Sequence, residues 1–90
     1  MKVTSSDVRL IISKLKETNV VLKSKLSESK RNKYYFVERS EEKGNFNITD
    51  TLTANQLIEE IQNFIEGCEK EIEENNGLIE RLKKELEEAK

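Results

Sequence analysis

Two stretches of this chain place apolar residues at alternating steps of three and four, and that repeat limits its fold more than any other feature. In the C-terminal half, Ile58, Ile61, Ile65, Cys68, Ile72, Asn75, Ile79, Leu82, Leu86 and Ala89 keep the step without a slip. Ile58, Ile65, Ile72, Ile79 and Leu86 fill one column, and Ile61, Cys68, Asn75, Leu82 and Ala89 fill the other. A period of about 3.5 residues held over several heptads keeps one stripe turned towards a partner helix, so it signals coiled-coil-like packing rather than a lone surface helix. Thr53-Ala54-Asn55-Gln56 matches a capping box, in which the Thr and Gln side chains satisfy free N–H groups at a helix start. The expected helix covers about 54–88. Asn75-Asn76-Gly77 is a poor helix interior, with Gly alone costing about 1 kcal/mol relative to Ala. The heptad phase nevertheless runs straight through it, which favours a continuous helix, bent there, over two shorter ones.

The N-terminal third repeats the pattern. Ser5, Val8, Ile12, Leu15, Asn19, Leu22, Leu26 and Ser29 also step by threes and fours. Thr4, Ser5 or Ser6 can cap this helix, and Asp7 suits its positive end. The expected helix covers about 5–31.

Laid antiparallel, the two seams match layer by layer. The layers are Ser5–Ala89, Val8–Leu86, Ile12–Leu82, Leu15–Ile79, Asn19–Asn75, Leu22–Ile72, Leu26–Cys68 and Ser29–Ile65. The sole Asn of each seam meets the other, and any shift would leave an amide facing hydrocarbon; Asn19 and Asn75 therefore read as a register-setting polar pair. The same register brings Lys23 near Glu69 and Lys25 near Glu71. Charge agrees independently: residues 1–33 hold nine Lys/Arg against three Asp/Glu, and residues 54–90 hold five against eleven. The alternative is that each seam forms its own homotypic coiled coil. The expected architecture is mainly α, a single domain over 1–90 built as an antiparallel helical hairpin.

The connection over about 33–50 contains the β-prone run Tyr34-Tyr35-Phe36-Val37, a polar stretch with Gly44, and then Phe46 and Ile48 alternating with polar residues. It reads as a short β-hairpin with strands at about 34–39 and 45–49. The alternatives are an ordered loop, or continuation of the first helix through the tyrosines.

Apolar residues remain once the seam is filled. Ile11, Leu57, Phe64 and Leu78 all fall just before the first seam column, and Val21 widens the stripe they make. A two-helix hairpin leaves that face wet, and exposed apolar stripes of this kind mark association. The expected closure is a homodimer, or a higher oligomer, forming a four-helix bundle through Ile11, Val21, Leu57, Phe64 and Leu78.

The remaining composition excludes much chemistry. With no histidine there is no imidazole acid–base and no Glu-x-x-His metal site, and the dense glutamates of the second helix lie off the seam. No catalytic residue, metal or cofactor is expected, so the chain reads as non-enzymatic. Cys68, the single cysteine, reads as a small buried hydrophobe and fits a reducing, cytoplasmic setting. No signal peptide or membrane span is expected. Arg9, Lys16, Lys23 and Lys30 recur every seventh residue along one edge of the first helix. With Arg31 and Lys33, followed by aromatic rings, Lys16, Lys23 and Lys30 form a candidate anion-binding set for nucleic acid or a nucleotide, though a solvated or internally paired edge is the simpler reading.

Helix, β-hairpin and helix in that order, with an antiparallel coiled coil, resemble the layout of the prefoldin β-type subunit. That resemblance implies a small holding chaperone as one alternative function. The favoured expectation is an oligomeric protein-interaction module, an adaptor or inhibitor of the kind carried by mobile elements or phages. In it, Tyr34, Tyr35, Phe36 and Phe46 form a partner-binding tip on a helical stalk.

Overall fold

A computed structural model describes residues 3–88. Two helices make up the fold: α1, Ser5–Lys43, and α2, Ala54–Glu88, of 39 and 35 residues. They lie antiparallel as a hairpin measuring 62 × 22 × 14 Å. The Ala89 half of the Ser5 layer lies outside the described residues.

Both helix starts are fixed by the residues that can satisfy orphan N–H groups. Thr4 and Asp7 form a reciprocal box: Asp7 N donates to Thr4 Oγ1 at 3.2 Å and Thr4 N donates to Asp7 Oδ2 at 3.0 Å. The bond that the Asp7 carboxylate accepts from the Thr4 backbone N–H, and next its interaction with the Thr4 side chain, hold this carboxyl below the usual aspartate range. At α2, Gln56 N donates to Thr53 Oγ1 at 3.4 Å and Thr53 N donates to Gln56 Oε1 at 2.9 Å. The connecting loop supplies two further caps. Ala54 N donates to the Phe46 carbonyl at 2.9 Å, and Asn55 N donates to Asn45 Oδ1 at 3.0 Å. Ala54, Asn55 and Gln56 thus each find an acceptor outside the helix ladder.

The first helix is longer than expected, and the β-hairpin is absent. Tyr34, Tyr35, Phe36 and Val37 are helical, and α1 ends only at Lys43. No strand forms among the described residues; the 44–53 loop carries one isolated antiparallel bridge, Asn47 to Thr53. Heptad phase explains the outcome. Continuing the step from Leu26 and Ser29 reaches Lys33, Phe36 and Ser40, and all three are half-buried. The same antiparallel layers extend to Lys33–Ile61, Phe36–Ile58 and Ser40–Ala54, so burial against α2 outweighs the β preference of the aromatic run. Gly44 stops the helix with φ 74° and ψ −160°, a backbone conformation open essentially to glycine alone. Because the layout resemblance to prefoldin depended on a β-hairpin, it goes with it.

Helix α2 runs unbroken through Asn75-Asn76-Gly77. The core is one seam deep. Ile12, Leu22, Ile65, Cys68 and Ile79 are buried along it, and Ala54 is wholly covered where the loop folds over the end of the seam. Asn19 is the buried polar residue, 5% exposed. Its Oδ1 accepts from Asn75 Nδ2 at 3.0 Å, and its Nδ2 donates to Asn76 Oδ1 at 2.9 Å. The expected Asn19–Asn75 layer is therefore present, and Asn76 from the adjoining column completes it. No buried side-chain nitrogen or oxygen among the described residues lacks a partner.

Candidate functional site

A two-helix hairpin has two flanks, one on each side of its seam. In heptad letters, with Ile12 and Ile58 at position a, one flank is made of the g columns and the other of the e columns. In antiparallel pairs g faces g and e faces e.

The g flank holds an apolar stripe among charged and polar residues. It carries Ile11 and Thr18 from α1 and Leu57, Phe64 and Leu78 from α2, with Val21 beside them in the c column. Ile11 is 44% exposed, Val21 53%, Phe64 48% and Leu78 38%, while Leu57 is half-buried. The loop closes only the far end of the hairpin and leaves this stripe open. An open hollow at the opposite end, lined by Val3, Val8, Ile11, Leu82 and Leu86 among others, continues it. A second hollow midway is bordered by Leu22, Phe64 and Cys68 together with Lys25 and Glu71. Lys25 and Glu71 thus stand at one level, as the sequence register requires. With Arg39 and Glu85 they are the charged residues of the g columns, interrupting the apolar stripe.

The e flank is basic on α1 and mixed on α2. Lys30 Nζ lies 3.9 Å from Glu69 Oε2, with both side chains more than half exposed. Such a pair contributes on the order of 0–1 kcal/mol. Lys23 and Glu69 border one hollow, but the ion pair of Glu69 is with Lys30, one heptad further along. Lys33 is drawn into the seam: its stem is half-buried and its Nζ donates to Gln62 Oε1 at 2.6 Å. Lys16 and Lys23 remain outward and share a shallow hollow with Asn76, Glu80 and Lys83. Lys83 adds a third ammonium there and is itself 3.8 Å from Glu80. Arg31 is exposed on the outer face.

The aromatic residues do not form a tip. Tyr34, Tyr35 and Phe36 lie on α1 well before its end, roughly two turns of helix, about 12 Å, from the loop. Tyr34 is 66% exposed and points outward, Tyr35 is 50% exposed on the side of the g flank, and Phe36 turns into the seam. Tyr35 and Phe36 meet edge to face with centroids 5.2 Å apart, and the Arg39 guanidinium lies 5.6 Å from the Tyr35 ring centre. Phe46 is half-buried in the loop, where its carbonyl caps α2. The structure therefore separates these four side chains among outer face, flank, seam and loop.

Cys68 is buried against this seam. Among the described residues no three His, Cys, Asp or Glu side chains gather as a metal-binding group, and no helix is long and apolar enough to cross a membrane. Comparison with protein-family models, with curated proteins and with solved structures returns no match.

Proposed function

We propose that this protein is a non-enzymatic, self-associating interaction module whose working surface is the apolar g flank of the hairpin. The observation that carries the reading is the exposure of Ile11, Val21, Phe64 and Leu78 along one side of a seam only one layer deep. A hairpin of this size buries little for its length, and covering the stripe with a second hairpin supplies the missing layer of a four-helix bundle. Burial of apolar surface at about 25 cal/mol per Å² makes such a stripe the strongest source of association energy on the molecule. The outward Tyr34, and Ile48 of the loop, stay open for a further protein partner, as an adaptor or inhibitor requires.

Sedimentation equilibrium of the wild type and of the Phe64→Lys/Leu78→Lys variant tests the reading. A wild-type oligomer that becomes a helical monomer in the variant supports it. A monomeric wild type, or a variant that stays oligomeric, contradicts it.

The second reading, a polyanion binder on the e flank, draws support from Lys83, which joins Lys16 and Lys23 around one hollow. Against it stand Glu69 and Glu80 on the same edge and the use of Lys33 by Gln62. It predicts a salt-sensitive mobility shift with nucleic acid that Lys16→Ala/Lys23→Ala abolishes.

A further inference from the structure

The charge pattern of the hairpin selects one way for two copies to pair. We infer that the occupant of the g flank is a second copy of this chain, related by a two-fold axis parallel to the hairpin's long axis. The α1 of each copy then lies along α2 of the other, and both loops sit at the same end. This inference rests on the self-association proposed above and adds its geometry.

Two symmetric arrangements bring the flanks face to face. With the axis perpendicular to the hairpin, α1 lies on the partner's α1 and α2 on the partner's α2. With the axis parallel, each helix lies on the opposite helix of the partner. Apolar contact does not decide between them. In the perpendicular case, with the axis at the level of Glu71, Phe64 comes level with the partner's Leu78. In the parallel case Leu78 comes level with the partner's Thr18, between Ile11 and Val21. Both arrangements cover the stripe, although the parallel one sets Ile11 level with the partner's Glu85 and Phe64 level with the partner's Asn32.

Charge does decide. Helix α1, Ser5–Lys43, carries ten Lys/Arg against six Asp/Glu, and α2, Ala54–Glu88, carries four against eleven. Neighbouring helices in a bundle lie about 8–10 Å apart, close to one Debye length at physiological salt, so the sign of each helix is still felt by its neighbour. The perpendicular arrangement sets basic helix on basic helix and acidic on acidic. The parallel arrangement sets opposite signs together at both interfaces. The g columns repeat the distinction: the charges on α1 are Lys25 and Arg39, and those on α2 are Glu71 and Glu85. Lys25 and Glu71 stand at one level of the hairpin. A parallel axis therefore lays Lys25 beside the partner's Glu71 and, by symmetry, Glu71 beside the partner's Lys25. Complementary charge of this kind fixes orientation more than affinity.

Electron spin resonance distance measurement tests the geometry. Asp50, exposed in the loop, is replaced by Cys and spin-labelled in two backgrounds: Cys68→Ala, and wild type with Cys68 buried. Sedimentation of the same samples reports the oligomeric state. A dimer with a label separation of roughly 10–30 Å, one to three interhelical spacings, is expected. A dimer with labels separated on the scale of the 62 Å hairpin overturns the orientation and leaves self-association standing. A monomer in both backgrounds overturns both.

Discussion

Asn75 Nδ2 donates to Asn19 Oδ1 at 3.0 Å across the middle of a largely apolar seam. Asn19 returns its own Nδ2 to Asn76 at 2.9 Å, so its amide is satisfied on both sides while only 5% exposed. A shift of one heptad would place Asn19 opposite Leu82 or Cys68 and leave the amides unpaired. The pair thus selects one register from several that would bury similar apolar area.

Replacing one member breaks that balance. Asn19→Leu leaves the half-buried Asn75 amide and Asn76 Oδ1 without their partner and is expected to lower stability by about 1–3 kcal/mol. Asn19→Leu/Asn75→Leu removes both halves and recovers or exceeds wild-type stability, with register no longer unique. Urea unfolding gives the energies, and doubling of backbone amide resonances reports mixed registers. A double variant no more stable than the single one would contradict the account.

Two glycines are expected to respond with opposite signs. Gly44 has open space where a Cβ would stand, so its constraint is the φ of 74° rather than crowding. Gly44→Ala is expected to cost about 1–3 kcal/mol. Gly77 lies inside α2, also with open space around it, and Gly77→Ala is expected to stabilise by up to about 1 kcal/mol through helix propensity. Chemical denaturation of the two variants side by side reads the contrast.

Ala54 is 0% exposed, and its N–H is held by the Phe46 carbonyl at 2.9 Å. A larger side chain has no room between loop and seam. Ala54→Leu is expected to destabilise by about 1–3 kcal/mol and to loosen the loop. Faster hydrogen exchange at Ala54 and Ile48, whose amides are bonded within the loop, is the accompanying sign.

The cap of α1 is sensitive to acid. The Asp7 carboxyl is held below its ordinary range in the folded chain, so its contribution is present above the unfolded-state value and is lost as pH falls through the folded one. Below the usual aspartate range the first turn frays. Asp7→Asn is expected to remove this pH dependence, followed by amide chemical shifts of residues 4–8 in an acid titration.

Much of this fold was readable from spacing alone. The heptad step alone places the seam residues of both helices, and the antiparallel layers pair Asn75 with Asn19. The run Tyr34-Tyr35-Phe36-Val37 misled because local β preference and seam phase disagree there. Phe36 falls on the phase, and extending the layers to Ser40–Ala54 would have found it. Asn76 escaped because it lies one column off the seam, where spacing gives no sign that a side chain reaches inward. The loop's capping of α2 by Asn45 and Phe46 also escaped, since those bonds depend on how ten connecting residues fold back. The apolar flank was legible because it needs only heptad position. The aromatic tip was not, because it borrowed its location from strands that do not form.

Closure of the g flank by another copy of the chain couples folding to association. Thermal unfolding of the wild type over a wide range of protein concentration tests it most directly, because unfolding linked to dissociation makes Tm depend on concentration. A Tm that rises steadily with concentration is expected, with the dependence lost in Phe64→Lys/Leu78→Lys. A wild-type Tm that is the same at every concentration, with sedimentation as a monomer, would contradict it.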